Sequence, residues 1–285
     1  MKQKLSLLFS VSRPISWINT AFPFASVYLL FGGGLDGRLI IGSLFFLIPY
    51  NLLMYGVNDV YDYESDIRNP RKGGIEGAIT PKNFHPLILG AAAGSSLPFI
   101  VYLAFHGTLV SLTTLLVVVF FVVAYSLKGL RFKEIPVLDS ITSSMHFVGP
   151  ALFALSLFGF PVTAWPFVAA FFLWGMASHA FGAVSDILPD REASISSIAT
   201  VLGARGTVRF AYFCYALAVI ITALQGSYAL PVASAGLLYL ATLSPLLRIT
   251  DETSPRAAKA WRRFIWLNYF AGMVVTLCMI ASVYR

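Results

Sequence analysis

The sequence predicts an all-α membrane protein, nine transmembrane helices in a single bundle, with residues 1–285 forming one domain. Three observations lead there. Of the 285 residues, 58% are hydrophobic and only 12% charged, where an ordinary soluble domain carries about 25% charged residues; mean hydropathy is +0.77. The apolar residues fall in runs long enough for a bilayer, which needs about 17–25 residues per helix. Backbone polar groups in lipid must be satisfied within their own segment, so each run is a helix.

In chain order the runs are 14–33, 38–57, 84–105, 108–127, 136–158, 162–184, 207–225, 228–247 and 263–283. The opening MKQKLSLLFSV has a charged start, but its apolar part is short and meets Ser12, Arg13 and Pro14 without a small-residue cleavage site. No cleaved signal is expected. Between the second and third runs, Pro70, Gly73, Gly74, Gly77 and Pro81 predict a loop with one short helix at most. Cys214 and Cys278 lie inside runs seven and nine and read as small core residues, not a disulfide or metal pair. Gly56 and Gly182 read as packing positions. Runs four and eight end alike, Tyr125-Ser126-Leu127 before Arg131 and Leu243-Ser244-Pro245 before Arg248, a hint of a four-helix unit used twice.

Charge sets the orientation. Of the 20 Lys and Arg, only Arg38 and Arg285 fall on the face opposite the N-terminus. The rest sit before run one or in the connections after runs two, four, six and eight, which predicts a cytoplasmic N-terminus in a multi-pass protein of the cell membrane. The net charge of +7 is accounted for by topology and anionic lipid headgroups, and no nucleic-acid partner is expected.

Directly after the second run comes NDVYDYESD, with Asn58, Asp59, Asp62 and Asp66. In a helix, positions 58, 62 and 66 drift only about 40° per step, so they line one face. Hard oxygen ligands gathered in this way suit Mg²⁺, which is commonly held by a few carboxylates plus substrate phosphates. A second cluster, SDILPDRE, repeats the four-residue spacing at Asp186 and Asp190 after the sixth run. Both clusters fall at the cytoplasmic ends of helices, where unpaired carbonyls already carry partial negative charge. A diphosphate approaches such a rim only with divalent cations, expected here as two Mg²⁺ ions. The cations facing it would be Arg68, Arg71, Lys72, Lys128, Arg131 and Lys133, although each taken alone reads first as a topology determinant. Arg131 and Lys133 stand out, because Tyr125 and Ser126 precede them at a helix end.

With NDVYDYESD (58–66), DILPD (186–190) and YSLKGLRFK (125–133), the chain resembles the UbiA superfamily of intramembrane prenyltransferases over essentially its whole length. That superfamily is marked by NDxxDxxxD, DxxxD and YSxxxxRxK at these places. One departure is Ser194, where the second motif often carries a third aspartate; Glu192 is nearby but off that helical face. Pro189 also rules out an uninterrupted helix through the motif. The resemblance implies a bundle around a lateral, lipid-open cavity in which Asn58, Asp59, Asp62, Asp66, Asp186 and Asp190 hold Mg²⁺. Asp62, Asp66, Asp186 and Asp190 would carry the catalysis, and Tyr125 with the six basic residues would bind an isoprenyl diphosphate. Diphosphate then leaves, an allylic cation forms, and a hydrophobic acceptor attacks it. Phe22, Phe24, Tyr28, Phe147 and Trp174 are candidates to face that cation, or simply pack.

Within the superfamily, SRPISWINTAFPFASVYLL (12–30) most resembles the lycopene elongase branch, which adds C5 units from dimethylallyl diphosphate to lycopene on the way to C50 carotenoids. Asn19, Ser16 and His146 would then border the acceptor cavity, or make structural hydrogen bonds within the bundle. An aromatic prenyltransferase of quinone, haem or chlorophyll synthesis would share every metal residue. A cation-coupled transporter is the rival from another class, but its carboxylates would lie near the midplane, not at one face.

Overall fold

The computed structural model describes residues 2–67 and 79–283. Every regular element among them is helical. Two compact units emerge, Met1–Phe132 with Met145–Pro161, and Lys133–Ser144 with Val162–Arg285.

The first unit holds α1 (Lys2–Val11), α2 (Ile18–Leu30), α3 (Gly37–Leu47), α4 (Pro49–Tyr61), the single turn α5 (Tyr63–Asp66), α6 (His85–Phe105), α7 (Leu109–Ser126) and most of α8 (Leu138–Ser156). Asp36 starts α3 by accepting the Leu39 N–H at 3.0 Å, while the Tyr28 hydroxyl donates to its other oxygen at 2.7 Å. A reciprocal Thr108–Ser111 capping box opens α7. Run 38–57, expected as one helix, is two. Pro49 has no N–H to give, and its ring opposes the carbonyl one turn back. Asn51 closes the joint: its Nδ2 donates to the Phe46 and Leu47 carbonyls at 2.9 and 3.0 Å and to Thr20 Oγ1 at 2.7 Å. Beside the joint, Phe24, Phe45, Phe46, Tyr50 and Phe153 are all fully buried. Their ring centroids stand 4.9–5.9 Å apart in mostly tilted and edge-on pairs, the spacing that aromatic quadrupoles favour. Phe24 and Tyr28, weighed above as cation-facing, belong to this packed core.

The second unit holds the first turns of α8 with α9 (Trp165–Ala183), α10 (Ile187–Glu192), α11 (Ile198–Ala223), α12 (Leu230–Leu243) and α13 (Ala257–Val283). Its core stacks Tyr215 on Tyr239 at 5.0 Å and Trp261 on Phe264 at 4.6 Å. Helix α11 begins nine residues earlier than the expected 207, because Ser197 and Thr200 form a second capping box. Gly182 lets the Trp261 ring approach to where a Cβ would meet it at 3.0 Å, and Gly56 does the same for Ile88 at 2.9 Å. Both are packing positions.

Among the described residues, six helical stretches are long and apolar enough to cross a membrane: Gly37–Tyr61, Lys82–Phe105, Leu109–Ser126, Val162–Glu192, Ile198–Ala223 and Ser254–Val283. The remaining expected runs contain α2, α8 and α12. Helix α2 has 13 residues, or about 20 Å of rise, and α8 carries Asp139, Thr142, Ser143, Ser144 and His146 in its first half. On α13, Trp266, Phe270, Met273, Leu277 and Ile280 form an exposed stripe at alternating spacings of four and three. A continuous apolar stripe of this kind suits lipid, not water.

Candidate active site

The acidic turn at the end of α4 is continuous through α5. The Asp62 N–H donates to the Asn58 carbonyl at 2.9 Å, and the Asp66 N–H to the Asp62 carbonyl at 2.8 Å. Asn58, Asp62 and Asp66 therefore stand one above another at single-turn spacing, as the sequence predicts. Asp62 and Asp66 are each only 6% exposed. The Asn58 amide nitrogen donates to Asp62 Oδ2 at 2.7 Å and to Ser126 Oγ at 3.0 Å. Ser126, the last residue of α7, thus ties the YS motif to the first acidic motif.

Burying carboxylates in a low-dielectric site is costly unless cations or hydrogen bonds compensate. Two arginines do so, each from a backbone in the left-handed region. Arg131, at φ 43°, follows the turn made by Gly129 at φ 98°. Its Nη2 lies 3.6 Å from Asp62 Oδ1, and its Nη1 donates to the Tyr61 carbonyl at 3.5 Å. Arg13, at φ 49°, donates from Nη2 to Asp59 Oδ1 at 2.8 Å, with its guanidinium 4.2 Å above the Tyr55 ring. Asp59, expected among the metal ligands, is placed against this arginine.

The other expected residues are distributed as follows. Tyr125 meets the His146 ring edge-on at 4.9 Å, and the His146 carbonyl accepts from Tyr50 at 3.0 Å. Lys128 and Asn19 are exposed, and Lys133 falls in the second unit. Arg68, Arg71 and Lys72 lie outside the described residues. At the rim, Lys82 pairs with Glu64 and lies 5.4 Å from the Tyr63 ring centre.

The second motif is built on a broken helix. After Ala183 the chain tightens into a 3₁₀ turn, Val184–Asp186, and then into α10. Pro189, which cannot donate to residue 185, accounts for the break. Asp186 and Asp190 are both partly exposed. The Asp190 carbonyl accepts the Ile195 N–H at 2.8 Å, and Ser194 takes φ 57°. In the same unit Asp139 is completely buried. Its Oδ2 accepts the Ile198 N–H at 2.6 Å, its Oδ1 accepts the Ser140 N–H at 2.6 Å, and His179 Nε2 lies 3.7 Å away. Arg13, Asp139 and His179 were not singled out from the sequence for any role in the site. Their partners lie far along the chain, and no local spacing announces them.

Among the described residues, no group of three or more His, Cys, Asp or Glu is arranged to hold a metal ion by itself. The donor set instead fits an ion that completes its shell with phosphate oxygens: hard oxygens only, with Asp62 and Asp66 buried one turn apart.

Residues 20–268 match the UbiA prenyltransferase family. A lycopene elongase/hydratase of Corynebacterium glutamicum is 48% identical over 283 residues, covering 99% of both chains. The C(50) beta-cyclic carotenoids biosynthesis protein LbtBC of Dietzia sp. is 50% identical over 98% of this chain and 65% of its own length. In fold, the chain is similar to a UbiA homolog from Archaeoglobus fulgidus bound to DMAPP and Mg²⁺, with TM-score 0.67, 18% identity, and 93% and 98% of the two chains covered. An apo UbiA homolog from Aeropyrum pernix K1 gives TM-score 0.67 at 17% identity, with 93% and 98% covered.

Proposed function

Because the chain belongs to the UbiA prenyltransferase family and is an integral membrane protein, we propose that it alkylates lycopene with dimethylallyl diphosphate, in a Mg²⁺-dependent step toward C50 carotenoids. The observation that carries this reading is the single-turn ladder of Asn58, Asp62 and Asp66, whose two carboxylates are buried and offer oxygen ligands. The near full-length likeness to lycopene elongases supports the choice of acceptor.

In this reading Asp62, Asp66, Asp186 and Asp190 hold two Mg²⁺ ions, with Asn58 orienting Asp62. Bound Mg²⁺ supplies neutralisation of the charge that develops on the leaving diphosphate. Arg131, Lys128, Lys133 and Tyr125, with Arg68, Arg71 and Lys72 from the following loop, bind phosphate oxygens. The allylic C–O bond breaks and its electron pair leaves with the diphosphate. The terminal alkene of lycopene donates its π pair to the resulting cation, forming the new C–C bond. The tertiary cation left on the acceptor ends by losing a proton, or by taking up water and then losing one. Nine spans around one lipid-open cavity, with both acidic motifs on the cytoplasmic side, complete the proposal. Such a cavity admits a neutral hydrocarbon from the bilayer without a group to bind a carboxylate or activate a phenol.

The test is a membrane assay with Mg²⁺, dimethylallyl diphosphate and either lycopene or an aromatic acid. Lycopene heavier by one or two C5 units, with or without added water, is the expected result. A prenylated aromatic acid with untouched lycopene would overturn the acceptor.

A further inference from the structure

Helix α11 is interrupted at Gly203, where φ 68° and ψ 169° leave the helical region. In an unbroken helix the Ala204 N–H would donate to the Thr200 carbonyl. Here two side chains are spliced into that one missing bond. Asp251, from the connection between α12 and α13, accepts the Ala204 N–H on Oδ1 at 2.7 Å. Its Oδ2 accepts from Arg191 Nη1 at 2.6 Å. Arg191 Nη2 then donates to the Thr200 carbonyl at 2.9 Å. Glycine is needed at 203 twice over, for the positive φ and because a Cβ would come 3.1 Å from Asp251 Oδ1.

Arg191 is the residue after Asp190, on the short helix α10. The same stretch is fixed at its far end, where Asp139 takes the Ile198 N–H and Ser197 and Thr200 cap each other. The Arg191–Asp251 pair is therefore a side-chain link from the Asp190 turn to the start of the long part of α11. We propose that Asp251 is a positioning residue for the second acidic motif: acting through Arg191, it fixes the turn that carries Asp190 in the attitude in which that carboxylate takes up Mg²⁺-diphosphate. This rests on the diphosphate reading above but is independent of the acceptor. Groups that orient metal ligands from behind commonly cost 10–100-fold in affinity or activity when removed.

Asp251→Asn leaves a single acceptor oxygen for two donors. Arg191→Gln removes the guanidinium while keeping the carboxylate on Ala204, and it carries the same prediction if the first variant does not fold. The full chain in detergent would be titrated with inorganic pyrophosphate and Mg²⁺ by calorimetry. Alongside this go thermal unfolding, hydrogen exchange over residues 187–204, and prenyl transfer to lycopene. The expected result is a pyrophosphate affinity and a Mg²⁺ half-saturation weakened on the order of tenfold, faster exchange over 187–204, KM raised more than kcat falls, and partial rescue by Asp251→Glu. Unchanged pyrophosphate and Mg²⁺ affinity with a lowered melting temperature overturns the proposal and leaves a structural staple. Wild-type protein that binds Mg²⁺-pyrophosphate but never alkylates lycopene would sink the acceptor assignment instead, with the binding comparison still deciding the role of Asp251.

Discussion

Arg13 donates to Asp59 at 2.8 Å across 46 positions of sequence, and the Asp59 side chain is fully buried while Arg13 keeps 16% of its surface. Asp59 sits about 100° around the helix from Asn58, so its partner comes from the N-terminal turn and not from the ladder. Removing one member of a buried pair leaves an uncompensated charge. Arg13→Ala should lower stability by about 3 kcal/mol, seen as a lower thermal midpoint in detergent, with Arg13→Lys recovering part of it. An unchanged midpoint for Arg13→Ala would remove the pair from the account.

Asn58 and Ser126 should separate in effect. Asn58→Ala deletes the donor that orients Asp62 and should weaken Mg²⁺-dependent use of the prenyl diphosphate on the order of tenfold. Ser126→Ala removes one acceptor from that amide and should cost about 1 kcal/mol or less. Steady-state KM and kcat of the two variants check the order; a larger loss for Ser126→Ala contradicts it.

Asp139 secures the first turn of α8 and the start of α11. Asp139→Ala strands the buried N–H groups of Ile198 and Ser140, at about 1–3 kcal/mol each in desolvation. Hydrogen exchange at Ile198 and Thr200 should rise in this variant. Wild-type protection at those amides would show that Ser197 and Thr200 alone secure the start of α11.

Acid should weaken the Asp251 splice in a defined window. The Ala204 N–H, then Arg191, hold the Asp251 carboxyl below its usual 3.8. A carboxyl whose folded value is depressed adds stability that is complete above the unfolded value and is lost as pH falls through the folded one. The stability difference between wild type and Asp251→Asn should therefore be flat above about pH 5 and shrink below pH 4. A difference that widens on acidification contradicts the assignment.

How far the sequence could be read depended on the range of each interaction. The ladder of residues 58, 62 and 66 was legible because one helical turn is a local rule, and the backbone bonds to Asn58 and Asp62 bear it out. Pro189 likewise marked the break before α10. Pro49 carries the same physics, yet it lies inside an unbroken apolar run, where its joint depends on Asn51 and Thr20 packing around it. Arg13–Asp59, Asp139–Ile198 and Asp251–Ala204 join residues 46, 59 and 47 positions apart. No periodicity encodes such meetings. Arg131 adopting φ 43° is similar, since its contacts with Asp62 and Tyr61 come from distant positions and no local spacing announces a left-handed arginine there.

The most direct measurement is calorimetric binding of inorganic pyrophosphate, with and without Mg²⁺, to wild type, Asp62→Asn and Asp190→Asn. Wild type should bind tightly only when Mg²⁺ is present, and each variant should lose at least about tenfold. Wild-type binding in either variant, or equal binding without Mg²⁺, would contradict a diphosphate held by both acidic motifs.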